Sequence, residues 1–459
     1  MKVIICGAGQ VGTGIAERLS AEGNDVSIID ASPDLVQRAN DVLEVRAVEG
    51  NAAHPDVLAQ AGISEADMVI AVTLHDEVNM VACQVAHTLF NVPTKIARIR
   101  AQSYLAPEWS TLFNRDNMAI DYVISPEIEV GNMVLRRLQL PGAFDAVPFA
   151  DGRITLLGIN CGPDCPVLDT PIRQLTELFP DLPAIAVSVI RQGKLHILHG
   201  DDRLLDGDDV YVVTPTEQVT RTLQIFGHEE VKARRIVIAG GGNIGLYLAR
   251  TLEEREPNVR IKMIENSKKR AEEVAELLGR TIVLHGSALN EDVLREADIT
   301  AAETLVAVTN DDQVNLLTSA LAKQLGCPSS LCLINSPNYA GMIRSLDIDA
   351  QINPRAITVS RILQHVRRGR VRGVHSVLNG AGEVIELEAL ETAAILSKPL
   401  KSLKLTDGIR FGAILRDGEI FTPNGDTEIQ VRDRAVVFAR ADYVRELEQI
   451  FRVSPDFFG

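Results

Sequence analysis

Hydrophobic residues along the chain come in short blocks separated by glycine-bearing turns and by stretches of helical period. Lys2–Cys6 is a β-rich run closed by Gly7, residues 10–22 carry a helical pattern, Asp25–Asp30 is again β-rich, and residues 33–39 are again helical. Residues 43–48, 68–73, 95–99 and 122–124 supply further strand-like runs. Such alternation predicts a parallel sheet of about six strands wound by crossover helices. After a helical segment over 127–138 and the breaker Pro141-Gly142, the character changes. Residues 154–159, 184–191, 195–198 and 210–214 read as short strands between Gly and Asp turns, the pattern of a smaller α+β unit.

The whole pattern then repeats. Gly7-Ala8-Gly9-Gln10-Val11-Gly12 returns as Gly240-Gly241-Gly242-Asn243-Ile244-Gly245, 233 residues later. Val69-Ile70-Ala71-Val72-Thr73 returns as Leu305-Val306-Ala307-Val308-Thr309, and Asp76-Glu77-Val78-Asn79 as Asp312-Gln313-Val314-Asn315. Ile120 to Pro126 pairs with Ile348 to Pro354, and Gly200-Asp201 with Gly425-Asp426, so the duplication covers nearly the whole chain. Length alone, 459 residues, suggests about three domains. The repeat replaces that with four units: 1–140 and 232–366 as doubly wound parallel sheets, 141–231 and 367–459 as their smaller α+β partners.

Each glycine hexad follows a β-branched run and opens a helical one, and each is followed by a carboxylate at the end of the next strand. Asp30 lies 18 residues after Gly12, and Glu265 lies 20 after Gly245. This is the dinucleotide-binding fingerprint of Rossmann-like sheets, present twice. The first glycine makes the tight turn, the second lets backbone approach a pyrophosphate, and the third lets the helix pack on the sheet. The helix start offers N–H groups to an anion, while Asp30 and Glu265 accept from a ribose diol and repel a 2′-phosphate. NAD(H) or an adenine nucleotide is therefore favoured over NADP(H). Thr73-Leu74 and Thr309-Asn310 end the fourth strands at the same edge and are candidate contacts to ribose or adenosine. Arg98 and Arg100 end a later strand, where a guanidinium reaches phosphate or ribose; Leu333 and Asn335 replace them in the second copy.

Charge narrows the partners. The chain has 62 Asp+Glu against 46 Lys+Arg and a net charge of −16, which argues against nucleic acid as a general partner. No apolar run has the length a spanning helix needs, and the start lacks a secretory pattern. Six scattered cysteines suit free thiols in a reducing compartment. Cys161-Gly-Pro-Asp-Cys165 lacks a second Cys/His pair, and His196 and His199 read as a strand's surface face. The most basic run, Gln364 to Arg372, is a segment that pairs with neighbouring carboxylates, or else a contact for anionic lipid or an acidic partner. Catalytic residues and a metal site are not expected: no acid–base set, HExxH, GxSxG or P-loop accompanies the glycine loops.

On these motifs the chain resembles the regulatory subunits of bacterial Trk-type potassium uptake systems, which carry two tandem RCK (regulator of potassium conductance) domains. The hexads, Asp30, Glu265, Val72-Thr73 with Asn79, Gly50-Asn51-Ala52 and its counterpart Gly286-Ser287-Ala288 carry the resemblance. It implies a fold of two Rossmann-like sheets, each followed by an RCK C-terminal domain, and adds Asn51, Ala52 and Ser287 to the nucleotide-binding set. It also implies NAD(H), or ATP or ADP, as ligand, and a potassium-translocating membrane subunit as partner. A homotetramer forming a ring of RCK domains, peripheral on the cytoplasmic side of the inner membrane, completes the expectation. The second copy departs at Arg432-Asp433, where the first has Gly207-Asp208. The rival expectation is an NAD-dependent oxidoreductase formed by gene duplication.

Overall fold

A computed structural model describes residues 1–339, 341–366, 371–396, 398–403 and 405–451. Arg367 to Arg370, the centre of the basic run, lie outside the described residues. Two compact units are present, one formed by residues 1–130 with 353–366 and the other by 131–352 with the described part of 367–459.

The first unit is built on six strands, β1 (Lys2–Cys6), β2 (Asp25–Asp30), β3 (Arg46–Glu49), β4 (Met68–Ala71), β5 (Thr94–Arg98) and β6 (Tyr122–Ile124). All pair in parallel in the order β3-β2-β1-β4-β5-β6. The central strands β1, after Lys2, and β4 are continuous apolar runs because helices cover both faces of the sheet. On one face Met80, Cys83 and Ala86 of the helix Asp76–Phe90 pack against Ile4, Cys6 and Val69. On the other, Ile15, Ala16 and Leu19 of the helix Gln10–Ala21 share a cluster with Val3, Ile5 and Ile28. That face is completed from the far end of the chain: Val359, Ile362, Leu363 and Val366 of the helix Pro354–Val366 join the same cluster. Gly14 lies at this contact, where a Cβ would stand 3.1 Å from the end of the flexible Arg355 side chain. At the foot of β5 the Lys95 ammonium is buried, 2.9 Å from the Asp121 carboxylate and donating to the Val92 carbonyl at 3.1 Å.

The second unit holds three sheets. The first small sheet comprises β7 (Asp145–Phe149), β8 (Ile154–Cys161), β9 (Ile185–Arg191), β10 (Lys194–Ile197) and β11 (Asp208–Pro215), antiparallel in the order β10-β9-β11-β8-β7. Next comes a parallel sheet of β12 (Arg235–Ala239), β13 (Arg260–Glu265), β14 (Ile282–His285), β15 (Thr304–Ala307), β16 (Ser329–Leu333) and β17 (Ala350–Ile352). Its order, β14-β13-β12-β15-β16-β17, reproduces that of the first parallel sheet. The second small sheet, β18 (Val371–Val377), β19 (Gly382–Glu388), β20 (Ile409–Arg416), β21 (Glu419–Phe421) and β22 (Arg434–Arg440), runs β18-β19-β22-β20-β21 and repeats the connectivity of its counterpart. The expected fold class, two doubly wound parallel sheets each followed by a smaller α+β unit, is what the chain adopts.

Strand β7 has no counterpart among the sequence expectations. Its run carries Asp145 and Pro148, and a proline is tolerated there because β7 is an edge strand. Asp145 is buried, 2.8 Å from the His375 ring nitrogen Nε2 and 3.8 Å from the Arg137 guanidinium. The Arg432-Asp433 departure leaves the carboxylate's role intact. Asp208 accepts from Arg191 and from the Leu205 amide, and Asp433 accepts equivalently from Arg416 and the Gln430 amide. What changes is the residue at the turn: Gly207 has φ 79°, and Arg432 takes the same left-handed conformation at φ 71°, where a side chain is strained.

Candidate nucleotide-binding loops

Because the strands of each large sheet are parallel, their carboxyl ends share one edge. In the first copy, β1 has β2 on one side and β4 on the other, so the chain order reverses there and opens a crevice. Gly7 makes the turn out of β1 at φ 111°, its amide donating to Ile29 O at 2.7 Å, and a Cβ on it would meet the Thr73 amide at 3.0 Å. Gly12 lies against that turn so closely that a Cβ would stand 1.8 Å from Gly7 O. Gly9 is different: it is exposed, and nothing lies within 4 Å of where its Cβ would be. The second loop copies this arrangement, with Gly240 at φ 112°, Gly245 at 1.9 Å from Gly240 O, and open space at Gly242. Gly9 and Gly242 cap the helices Gln10–Ala21 and Asn243–Arg255 without any side-chain cap, leaving first-turn amides at Gln10-Val11 and Asn243-Ile244 for an anion.

The two acids do more than the sequence suggests. Asp30 accepts from the Ala8 amide at 2.6 Å and the Ser32 amide at 2.9 Å, one oxygen each. Glu265 accepts from Gly241 at 2.8 Å and Ser267 at 2.7 Å in the same way. Each carboxylate thus ties the glycine loop to the next strand's end, and each oxygen keeps a lone pair for a hydroxyl. Arg270, absent from the sequence-derived set, braces the second loop by donating to Gly241 O at 2.9 Å.

Thr73 and Thr309 are held by a buried asparagine apiece. Asn79 Oδ1 accepts from the Thr73 amide and hydroxyl at 2.9 and 2.8 Å, while its Nδ2 donates to Thr73 O and Arg98 O. Asn315 does the same with Thr309 and Leu333 O. The amide fastens the ends of two neighbouring strands, which explains why Asn79 recurs in the repeat. Leu74 and Asn310, one residue on, are exposed at this edge. Asn51 is exposed just after β3, with Ala52 buried behind it, and Asn51 Oδ1 accepts from the Ala53 amide at 2.9 Å; Ser287 stands in the corresponding turn.

Arg98 ends β5 at the same edge with a buried Nε that has no hydrogen-bond partner. Burial and the neighbouring Arg100 guanidinium both push its pKa down, so an anion there would relieve it. Arg100 is instead paired with Glu127 at 2.9 Å. The second site lacks this cation, since Leu333 occupies the position. His196 and His199 lie exposed in the first smaller α+β half. All six cysteines are buried free thiols. Among the described residues no cluster of His, Cys, Asp or Glu could hold a metal ion, and no helix is long and apolar enough to cross a membrane.

Sequence comparison places known relatives beside this geometry. The TrkA-N domain family matches residues 3–126 and 236–354, and the TrkA-C domain family matches 384–452. A Trk system potassium uptake protein TrkA from Azorhizobium caulinodans is 59% identical over the full length of both chains. Its namesake from Vibrio alginolyticus is 37% identical, again over both full lengths. In fold, the chain is similar to the GsuK RCK domain, with a TM-score of 0.61 at 16% identity over 98% of this chain and 94% of that one. The GsuK channel bound to NAD gives 0.60 at 16% identity, over 98% and 78%.

Proposed function

Since this chain belongs to the TrkA family of Trk system potassium uptake proteins, we propose that it is a nucleotide-sensing regulatory subunit of such a system, gating a potassium-translocating membrane subunit. The observation that carries this reading is the open space at Gly9 beside uncapped helix amides, Asp30 and the buried Arg98 Nε that has no hydrogen-bond partner. NAD(H) fits that set, and ATP or ADP shares its ribose and phosphates. The first-turn amides and Arg98 would take phosphate, Asp30 and Thr73 the ribose, with Asn51, Ala52 and Leu74 lining the edge. In the second copy Asn243-Ile244, Glu265, Ser287, Thr309 and Asn310 offer the same set without the arginine, so its affinity is the weaker.

In this reading residues 1–140 and 232–366 sense the nucleotide, and 141–231 and 367–459 pass the change on within a homotetrameric ring at the cytoplasmic face of the membrane. Nucleotide acts by conformational bias, shifting two ring shapes only by its difference in affinity for them. About 3 kcal/mol of difference changes their ratio by roughly two orders of magnitude. The nucleotide is bound and released without reaction.

Potassium uptake at low external potassium, in a strain deleted for this chain, is the test. Wild-type chain restores uptake, and Asp30→Ala, with nucleotide affinity weakened by about tenfold or more, fails to restore its nucleotide response. Normal uptake in the deletion strain, or steady NADH oxidation by the purified chain with a small carbonyl substrate, contradicts the proposal and favours the oxidoreductase.

A further inference from the structure

In the second unit the two smaller α+β halves line a half-open cavity of about 590 Å³, with walls that differ in chemistry. The wall from the first copy is mostly apolar, with Leu175, Phe179 and Ile185, and its Thr222 hydroxyl is already engaged by Thr214 and Gln218 O. The wall from the second copy carries Arg410 and Thr422. When the copies are aligned on Gly200-Asp201 and Gly425-Asp426, Arg410 falls on Ile185 and Thr422 on Ile197. The polar pair is therefore not something the shared fold demands.

Both groups lack partners. Arg410 Nε and Thr422 Oγ1 are buried and make no hydrogen bond, and among the described residues no carboxylate pairs with Arg410. Nearby Lys401 is already engaged by Asp426. Burial with nothing to offset it depresses the Arg410 pKa. A partly desolvated guanidinium whose buried Nε has no acceptor destabilises the fold that holds it. Supplying an anion from outside removes that cost, and the cavity's size falls within the roughly 300–1,000 Å³ of small-molecule sites.

We propose that this cavity binds a small organic anion, with its acidic group on Arg410 and Thr422 and its apolar body against Leu175, Phe179 and Ile185. The site is separate from the glycine loops and stands whether or not those bind nucleotide. The ligand bridges both smaller sheets, so its binding stiffens their junction.

The experiment titrates 1-anilinonaphthalene-8-sulfonate into the full chain, with N-phenyl-1-naphthylamine as the same apolar body without the acid. The sulfonate is expected to saturate a single site per chain and to bind more tightly than the neutral probe. Arg410→Gln weakens the sulfonate by about tenfold or more and leaves the neutral probe unchanged. This variant melts at or above the wild-type temperature, because the guanidinium has no partner to lose. Ile185→Trp, which fills the apolar wall, weakens both probes, and saturating NADH displaces neither. Equal sulfonate affinity in Arg410→Gln and wild type, displacement by NADH, or the lack of a saturable site overturns the proposal.

Discussion

Asn79→Ala tests whether the asparagine is the fastener of the first site's edge. The side chain is fully buried and makes four hydrogen bonds, two from Thr73 and one each to Thr73 O and Arg98 O. Alanine leaves three backbone groups unpartnered: the Thr73 amide and the Thr73 and Arg98 carbonyls. Each costs about 1–3 kcal/mol when water cannot reach it. Water entering the vacated space offsets part of this, so the expected loss is about 3–5 kcal/mol. Because the bonds join β4 to β5, the loss is local to the first parallel sheet. Hydrogen exchange read by mass spectrometry resolves the two copies: amides of β4 and β5 should exchange roughly two to three orders of magnitude faster, with β15 and β16 unchanged. Asn315→Ala should give the mirror result. Acceleration below about tenfold in β4 and β5, or equal acceleration in both sheets, refutes the reasoning.

Asp121→Asn leaves the buried Lys95 ammonium without its carboxylate, so denaturant titration should show a loss of about 3–5 kcal/mol, largely restored by adding Lys95→Met. Arg432→Gly relieves a left-handed residue at φ 71° and should raise stability by about 1 kcal/mol in thermal melting, whereas Gly207→Arg should lower it. Burial pushes the Asp145 carboxyl up, but the adjacent His375 and Arg137 outweigh it and hold the pKa at about 2. With an unfolded value near ~3.9, this stabilisation is fully present above that pH and is lost as pH falls toward 2; acid titration of Asp145→Asn should show that part of the acid limb flattened.

Much of this architecture is written in local pattern. Apolar runs between helical stretches specify β1, β2 and β4, and the duplicated hexads place both crevices, since Gly7 and Gly12 fix a turn whose geometry leaves little choice. What stayed hidden depends on contacts distant in sequence. Pattern alone could not show that Asp30 and Glu265 spend hydrogen bonds on the glycine loops, because an acid at a strand end reads the same with or without that clamp. Arg270 is one charged residue on a polar helix, and only the fold brings it to Gly241. The helix Pro354–Val366 has an apolar face that any sheet could bury, and only the fold brings it to Ile15, Ala16 and Leu19, more than 300 residues earlier. Strand β7 is not legible in the sequence because Pro148 argues against a strand unless the strand is known to lie at an edge.

Equilibrium binding of NADH and ATP to wild type, Gly9→Ala and Gly242→Ala tests the central claim most directly. Gly9 has φ −70° and free space at its Cβ position, so alanine should fold with stability within about 1 kcal/mol of wild type. The added methyl should occupy the space meant for phosphate and cut affinity at the tighter site by about tenfold or more, while Gly242→Ala should affect only the weaker one. Folded Gly9→Ala protein that binds both nucleotides at wild-type affinity would contradict that claim.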